Sequence, residues 1–155
     1  MIQRIQSLYL LMTTLFSTLF LWGKIVKFKG DLHNEFYIKL GGIFKVTGDA
    51  VTENIEKVIP VILLLAVIIA GSFSAIFLYK NRKLQMKITA GLIGLILILI
   101  LVLAAYSIYI IKIFDAVFTP GLYLIYPVLM LVFSFLAYRG VKKDDELVKS
   151  YDRLR

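Results

Sequence analysis

Few side chains in this sequence could perform catalysis or hold a metal. Cysteine is absent and His33 is the single histidine. Without cysteine there is no disulfide, no thiol nucleophile and no cysteine-ligated metal, and one histidine cannot form a multi-histidine metal or haem site within one chain. His33 lies in a polar segment near Asp31 and Glu35, where a lone histidine is typical of a solvated surface. We therefore predict that the chain is not an enzyme and binds no metal or cofactor.

Four hydroxyl side chains form the most regular polar pattern: Thr13, Thr14, Ser17 and Thr18. Their spacing places them along one stripe of a helix. In apolar surroundings such hydroxyls hydrogen-bond to the carbonyl four residues earlier or to a neighbouring helix. The stripe is therefore either a helix-packing surface or the lining of a polar pathway.

Small residues at four-residue spacing mark further helix contacts. Gly71 and Ala75 form one such pair, and Gly94 lies four residues after Ala90. Small side chains allow two helix backbones to approach closely. The candidate helix-packing residues are Thr14, Ser17, Gly71, Ala75 and Gly94.

The elements that must position these residues are four runs without a charged side chain. They cover residues 5–23, 58–79, 88–111 and 116–138. A bilayer core about 30 Å thick needs about 20 apolar residues as helix, so each run can cross a membrane. We predict an all-α membrane protein, a single domain over 1–155 built as a four-transmembrane-helix bundle. Ion or proton transport is disfavoured, because no run contains Asp, Glu, Lys, Arg or His.

The longest segment between the runs, residues 24–57, is rich in β-forming residues. Gly41-Gly42 separates two such stretches, a pattern typical of a two-residue hairpin. We predict a small antiparallel β-sheet of three strands in this first outer loop, at residues 25–29, 35–40 and 43–47.

Prolines bear on where two of the helices begin and bend. Residues 52–56 predict a capped helical lead-in. The second run then begins near Val58 with Pro60 in its first turn, where proline is tolerated. A helix that began at Thr52 would instead carry Pro60 as an interior kink. Pro127 lies inside the fourth run and predicts a kink there.

The distribution of lysine and arginine orients the runs. These residues are more numerous in the two termini and segment 80–87 than in the other two loops. The positive-inside rule therefore predicts cytoplasmic N- and C-termini, with the tail at 139–155 inside and loop 24–57 outside. The formal net charge of +8 does not indicate nucleic-acid binding, because most basic residues flank the apolar runs. Such residues meet headgroups, so membrane lipids are predicted partners.

The tail carries a helical pattern in which acids at 144–146 precede the bases, as the helix dipole favours. We predict a short cytoplasmic amphipathic helix on the same side as the N-terminus. The two ends either clamp one another or form a composite surface that docks another protein. The candidate docking residues are Arg4, Leu147, Tyr151, Asp152, Arg153, Leu154 and Arg155.

Both ends also carry a resemblance. The opening MIQRIQSLYLL and the closing DRLR resemble those of an uncharacterised bacterial family of four-span membrane proteins, a domain-of-unknown-function family. The resemblance implies a location in the bacterial inner membrane and supplies no activity. Four spans with a β-rich first outer loop are also similar, in architecture alone, to the claudin-like arrangement.

These observations favour an accessory or scaffold subunit. Its partners would be other membrane proteins or a second copy of the chain, which exposed sheet edges and amphipathic tails can recognise. The alternative is a small transporter or channel for a neutral or lipidic substrate, with the hydroxyl stripe and the Pro127 kink along its path.

Overall fold

The computed structural model describes residues 3–23, 26–29, 34–39, 42–47 and 50–153. Its four long helices are α1 (Gln3–Trp22), α2 (Ile59–Phe77), α3 (Arg82–Phe114) and α4 (Ile125–Arg153). Each is long and apolar enough to cross a membrane. The sequence prediction of a mostly helical chain with four long apolar helices and a small antiparallel sheet is confirmed.

The helices close into a bundle in which each packs against two others. α1 contacts α2 and α4, and α3 contacts the same two helices. Leu10, Leu65, Ile96 and Met130, one from each helix, are fully buried. Dense packing of these side chains fixes the placement of the helices relative to one another.

Helix α3 extends beyond its apolar run at both ends. It begins after Asn81, whose side-chain oxygen accepts a hydrogen bond of 3.3 Å from the backbone N–H of Leu84, an N-cap contact. It ends at Phe114, and the next residue, Asp115, adopts the left-handed conformation with a φ of 45°. Aspartate tolerates this conformation because its short polar side chain can bond locally. The chain then enters a strand.

Five antiparallel strands cover the end of the bundle to which Asp115 leads. They are β1 (Val26–Lys29), β2 (Asn34–Lys39), β3 (Gly42–Thr47), β4 (Ala50–Glu56) and β5 (Val117–Thr119). Their order is β4-β3-β2-β1-β5, so the segment between α3 and α4 adds the last strand to a four-stranded meander. The α2–α3 connection, the start of α1 and the end of α4 therefore lie at the opposite end of the bundle.

Buried and exposed side chains alternate along the strands, and the buried ones pack the sheet against the helices. In β1, Val26 and Phe28 are buried while Lys27 and Lys29 are exposed, as expected for a strand with one buried face. The Phe36 ring lies 4.7 Å from the Phe114 ring at the end of α3. Aromatic contacts of this kind hold the inner face of the sheet against the bundle.

The sheet has five strands where the sequence predicted three. The helical lead-in predicted at 52–56 is wrong, because these residues belong to β4 and pair with β3. The predicted hairpin does join β2 and β3. Its second strand begins one residue earlier than predicted, because Gly42 pairs with Lys39. Gly42 therefore begins β3, at a φ of 147° that glycine adopts without strain. Gly41 and His33 lie outside the described residues.

Helix starts decide the roles of both prolines. α2 begins at Ile59 with Pro60 in its first turn, which confirms the first alternative and excludes a helix from Thr52. α4 begins at Ile125, so Pro127 is its third residue. The predicted interior kink is wrong. The first backbone N–H groups of a helix have no partner within it, so a proline in the first turn removes no hydrogen bond. α4 continues through Arg153, so the tail is not a separate helix.

Candidate functional site

A line of hydrogen bonds runs through the bundle from the hydroxyl stripe of α1. We call it the polar seam, and it consists of Thr13, Thr14, Ser17, Ser72 and Ser134. The Thr13 and Ser134 hydroxyls are 3.3 Å apart, which joins α1 to α4. The Thr14 and Ser72 hydroxyls are 2.8 Å apart, which joins α1 to α2.

The remaining hydroxyls of the stripe bond within α1 or to a thioether. Ser17 donates to the Thr13 carbonyl at 2.7 Å and lies 2.8 Å from the Met130 sulfur. Thr18, on the exposed side of α1, donates to the Thr14 carbonyl at 2.8 Å. Throughout the described residues, every buried side-chain nitrogen or oxygen has a hydrogen-bond partner. The bonds from Thr13 and Thr14 to neighbouring helices agree with the packing interpretation of the stripe.

A second polar contact ties α1 to α4 at the end of the bundle opposite the sheet. We call it the terminal clasp, and it consists of Gln6, Arg82, Gly140 and Asp144. Gln6 Nε2 donates to Asp144 Oδ2 at 2.7 Å. Arg82 Nη1 donates to the Asp144 carbonyl at 3.4 Å. The Gln6 and Asp144 side chains are 4% and 7% exposed, and a carboxylate at that depth requires such partners.

Gly140 makes room for the terminal clasp. A Cβ at this position would lie 2.8 Å from Gln6 Cγ. The first turn of α1 and the polar part of α4 are therefore joined through Gln6, a residue that the sequence interpretation did not single out. A glutamine in an amphipathic first turn and a glycine in a charged tail are common, so neither signals this contact by itself.

The candidate docking residues divide into described and undescribed groups. Leu147 lies on α4 and is 41% exposed. Leu154 and Arg155 lie outside the described residues, and of the other four the structure describes only the helical backbone: Arg4, Tyr151, Asp152 and Arg153. Their proposed docking role remains a prediction.

Of the three small residues predicted to pack helices, two lie at the α2–α3 contact. A Cβ at Gly71 would meet Leu92 Cδ2 at 3.0 Å. Ala75 is fully buried, and its carbonyl accepts a 3.0 Å hydrogen bond from Gln85 Nε2. A Cβ at Gly94 would meet no atom within 4 Å. The close packing predicted at Gly94 is therefore wrong within the described residues, because the buried face of α3 passes through Leu92.

An apolar cleft opens sideways between α3 and α4 where both meet the sheet. Its volume is about 380 Å³. The lining is apolar apart from Ser107, whose hydroxyl donates to the Leu103 carbonyl at 2.8 Å. Sequence reasoning missed this α3–α4 cleft because residues from β1, α3, β5 and around the start of α4 build it: Val26, Ile100, Leu103, Ala104, Ser107, Ile108, Phe118, Leu124, Pro127 and Val128.

Large apolar side chains are exposed beside strand β5. We call this the β5 margin, and it consists of Trp22, Val117 and Leu122, which are 82%, 69% and 90% exposed. The next residue along from Leu122, Tyr123, packs against Gly23, the neighbour of Trp22. β5 is the last strand in the sheet order, so within the described chain its outer side is an unpaired edge.

No three His, Cys, Asp or Glu side chains in the described part of the chain lie close enough together to hold an ion.

Fold and site together define a four-helix bundle protein with apolar helices of membrane-spanning length, a sheet at one end and a clasp at the other. The chain belongs to the family described as a domain of unknown function, DUF4293, which it matches over residues 2–154. No curated protein and no solved structure matches the chain significantly. The predicted membership of an uncharacterised domain family is confirmed.

Proposed function

We propose that this chain is a multi-pass protein of the bacterial inner membrane that acts as an accessory or scaffold subunit. It binds another membrane protein at the sheet end of the bundle. The observation that carries the proposal is the β5 margin, where an unpaired strand edge and exposed apolar side chains coincide. Exposed edges pair with other chains, and apolar patches rimmed by polar residues mark interaction sites.

The orientation follows from the charges and the shape of the bundle. Segment 80–87, rich in lysine and arginine, lies at the same end of the bundle as the start of α1 and the end of α4, and the sheet lies at the other end. By the positive-inside rule the termini are cytoplasmic and the sheet faces outward. Four spans with an outward sheet make the arrangement claudin-like by analogy, which implies nothing about function.

The polar interior supports a binding role over catalysis or conduction. The seam hydroxyls satisfy one another between helices, and a conduction path would need polar groups that a substrate can reach. The chain in this proposal is not an enzyme, needs no cofactor and does not bind nucleic acid. Its partners are membrane lipids and either another membrane protein or a second copy of itself.

A photo-crosslinking amino acid at position 117 tests the scaffold proposal in native membranes. The matched control is position 73 on the outer face of α2, where Phe73 is 56% exposed. We expect a discrete adduct with one membrane protein from position 117 only. The same species should co-purify at constant ratio in mild detergent and be lost in Val117→Asp. Recovery of an isolated chain with lipid adducts alone at both positions would contradict the proposal.

A second candidate function, transport of a lipidic substrate, is favoured by the α3–α4 cleft. A lateral apolar opening of about 380 Å³ is within the size range of small-molecule sites. Ala104→Trp would fill the cleft, whereas Ala105→Trp changes a neighbouring exposed residue outside its lining. Lipid flux in proteoliposomes that is abolished by the first substitution alone would favour transport. Absence of flux in the unmodified chain would exclude it.

A further inference from the structure

A groove at the cytoplasmic end of α1 and α4 combines an apolar floor with a basic rim. Its volume is about 680 Å³. The floor includes Ile5 and Phe135, which are 52% and 49% exposed. The rim is built from Arg139, Lys142 and Lys143 of α4. We call this the α1–α4 groove, and it lies on the outside of the bundle, apart from the sheet end.

Lys142 and Lys143 lie three and four positions after Arg139, so each neighbours Arg139 on the surface of α4. The Arg139 guanidinium carbon lies 5.9 Å from the centre of the Phe135 ring, a cation–π contact that keeps the charge above the apolar floor. The groove thus places positive charge where α4 passes from its apolar to its polar part.

Acidic side chains only partly offset this charge. Among the lining residues, Glu146 is the one acid. Its carboxylate lies 4.0 Å from Lys142 Nζ, with side chains 64% and 57% exposed respectively, so this pair is weak in water. Asp144 instead accepts its hydrogen bond from Gln6 in the terminal clasp. The described lining therefore retains net positive charge.

We propose that the α1–α4 groove binds an anionic phospholipid of the cytoplasmic leaflet. The phosphate group is bound by Arg139, Lys142 and Lys143, and an acyl chain lies along Ile5 and Phe135. Basic pockets between helices on the cytoplasmic side recognise anionic headgroups in this way. A soluble phosphate compound would satisfy the rim and leave the apolar floor empty. The inference rests on the proposed membrane insertion and orientation and is independent of the scaffold role.

The test uses the purified full chain, reconstituted in nanodiscs or detergent without any partner. Native mass spectrometry would measure binding of phosphatidylglycerol against phosphatidylcholine of the same acyl composition. The variant Arg139→Gln/Lys143→Gln removes two rim charges. Its matched control, Lys83→Gln/Lys87→Gln, removes two exposed charges from the start of α3. These lie at the same end of the bundle as the groove but outside its lining.

We expect the groove variant to lose phosphatidylglycerol affinity by roughly tenfold or more, since each headgroup-level cation contributes substantially to anionic lipid binding. The control should bind as the unmodified chain does, and glycerol phosphate should not compete at millimolar concentration. Equal loss in both variants, no preference for phosphatidylglycerol, or competition by glycerol phosphate would each overturn the inference. Failure of the chain to insert at all would instead refute the proposed membrane protein.

Discussion

At the scale of single residues, two glycines in similar helical sequence have different surroundings. Gly71 faces Leu92 across the α2–α3 contact, whereas Gly94 faces open space. The sequence presents both in small-residue patterns and cannot separate them, since the rotation of each helix about its own axis decides which residue meets a neighbour. That rotation depends on packing against two other helices.

Leucine substitutions test this difference. Gly71→Leu would force a side chain into a position already occupied by Leu92, and overpacking of this kind costs about 1–3 kcal/mol. At Gly94 a Cβ meets no atom within 4 Å, and Gly94→Leu gains helix propensity. We expect thermal unfolding in detergent to shift downward for Gly71→Leu alone. A comparable shift in Gly94→Leu would show that this face is also a contact, in this chain or in an oligomer.

The Thr14–Ser72 hydrogen bond is a second residue-scale test. We expect Thr14→Val and Ser72→Ala each to destabilise the bundle and to be non-additive when combined, with a coupling of about 0.5–1.5 kcal/mol, as for interhelical hydrogen bonds in membranes. Unfolding of the two single variants and the double variant provides the measurement. Thr18→Val is the control, because Thr18 is exposed and donates to its own helix. Full additivity would mean that the polar seam does not join α1 to α2.

At the scale of elements, apolar runs predict the number of helices because membrane-length helices are a local property of sequence. Their ends are less predictable. α3 continues into charged residues on both sides, and the fourth run contains β5 before its helix begins. Three residues in an apolar run give no strand signal by themselves. They become a strand because β1 lies beside them, with Phe28 opposite Phe118.

The helical lead-in predicted at residues 52–56 is wrong for a similar reason, because pairing with another strand decides their structure. Thr52, Glu53 and Asn54 are typical of a helix start, but Glu53 and Asn54 pair with Lys45 and Phe44 of β3 instead. The hydroxyl stripe of α1 predicts that hydrogen bonds to neighbouring helices exist. It does not predict that Ser72 and Ser134 are the partners. The α3–α4 cleft and the α1–α4 groove depend on tertiary packing and have no local signature.

The terminal clasp can be tested as a link between elements. Gly140→Ala would place a Cβ 2.8 Å from Gln6 Cγ and displace Gln6 from the buried Asp144. An unsatisfied buried acceptor costs about 1–3 kcal/mol, more if charged. We expect a lower unfolding midpoint for Gly140→Ala. Gly91→Ala, at a glycine with no atom within 4 Å, should be neutral or stabilising; equal midpoints for the two variants would argue against the clasp.

At the scale of the whole molecule, the bundle separates two surfaces. The sheet and β5 margin lie at one end, and the terminal clasp and α1–α4 groove lie at the other. A bilayer between these ends would expose the first surface to partners outside and the second to lipid headgroups and cytoplasmic proteins. The proposals for scaffold binding and for lipid binding both depend on this two-sided placement.

Membrane topology tests that placement most directly, and the absence of cysteine makes single-cysteine labelling free of background. Cysteine would replace Lys39 in β2, Lys83 at the start of α3 and Lys143 in α4, all of which are exposed. A membrane-impermeant maleimide should label position 39 in intact spheroplasts, and positions 83 and 143 only after permeabilisation. Labelling of position 39 only after permeabilisation, or of all three positions from outside, would contradict the account.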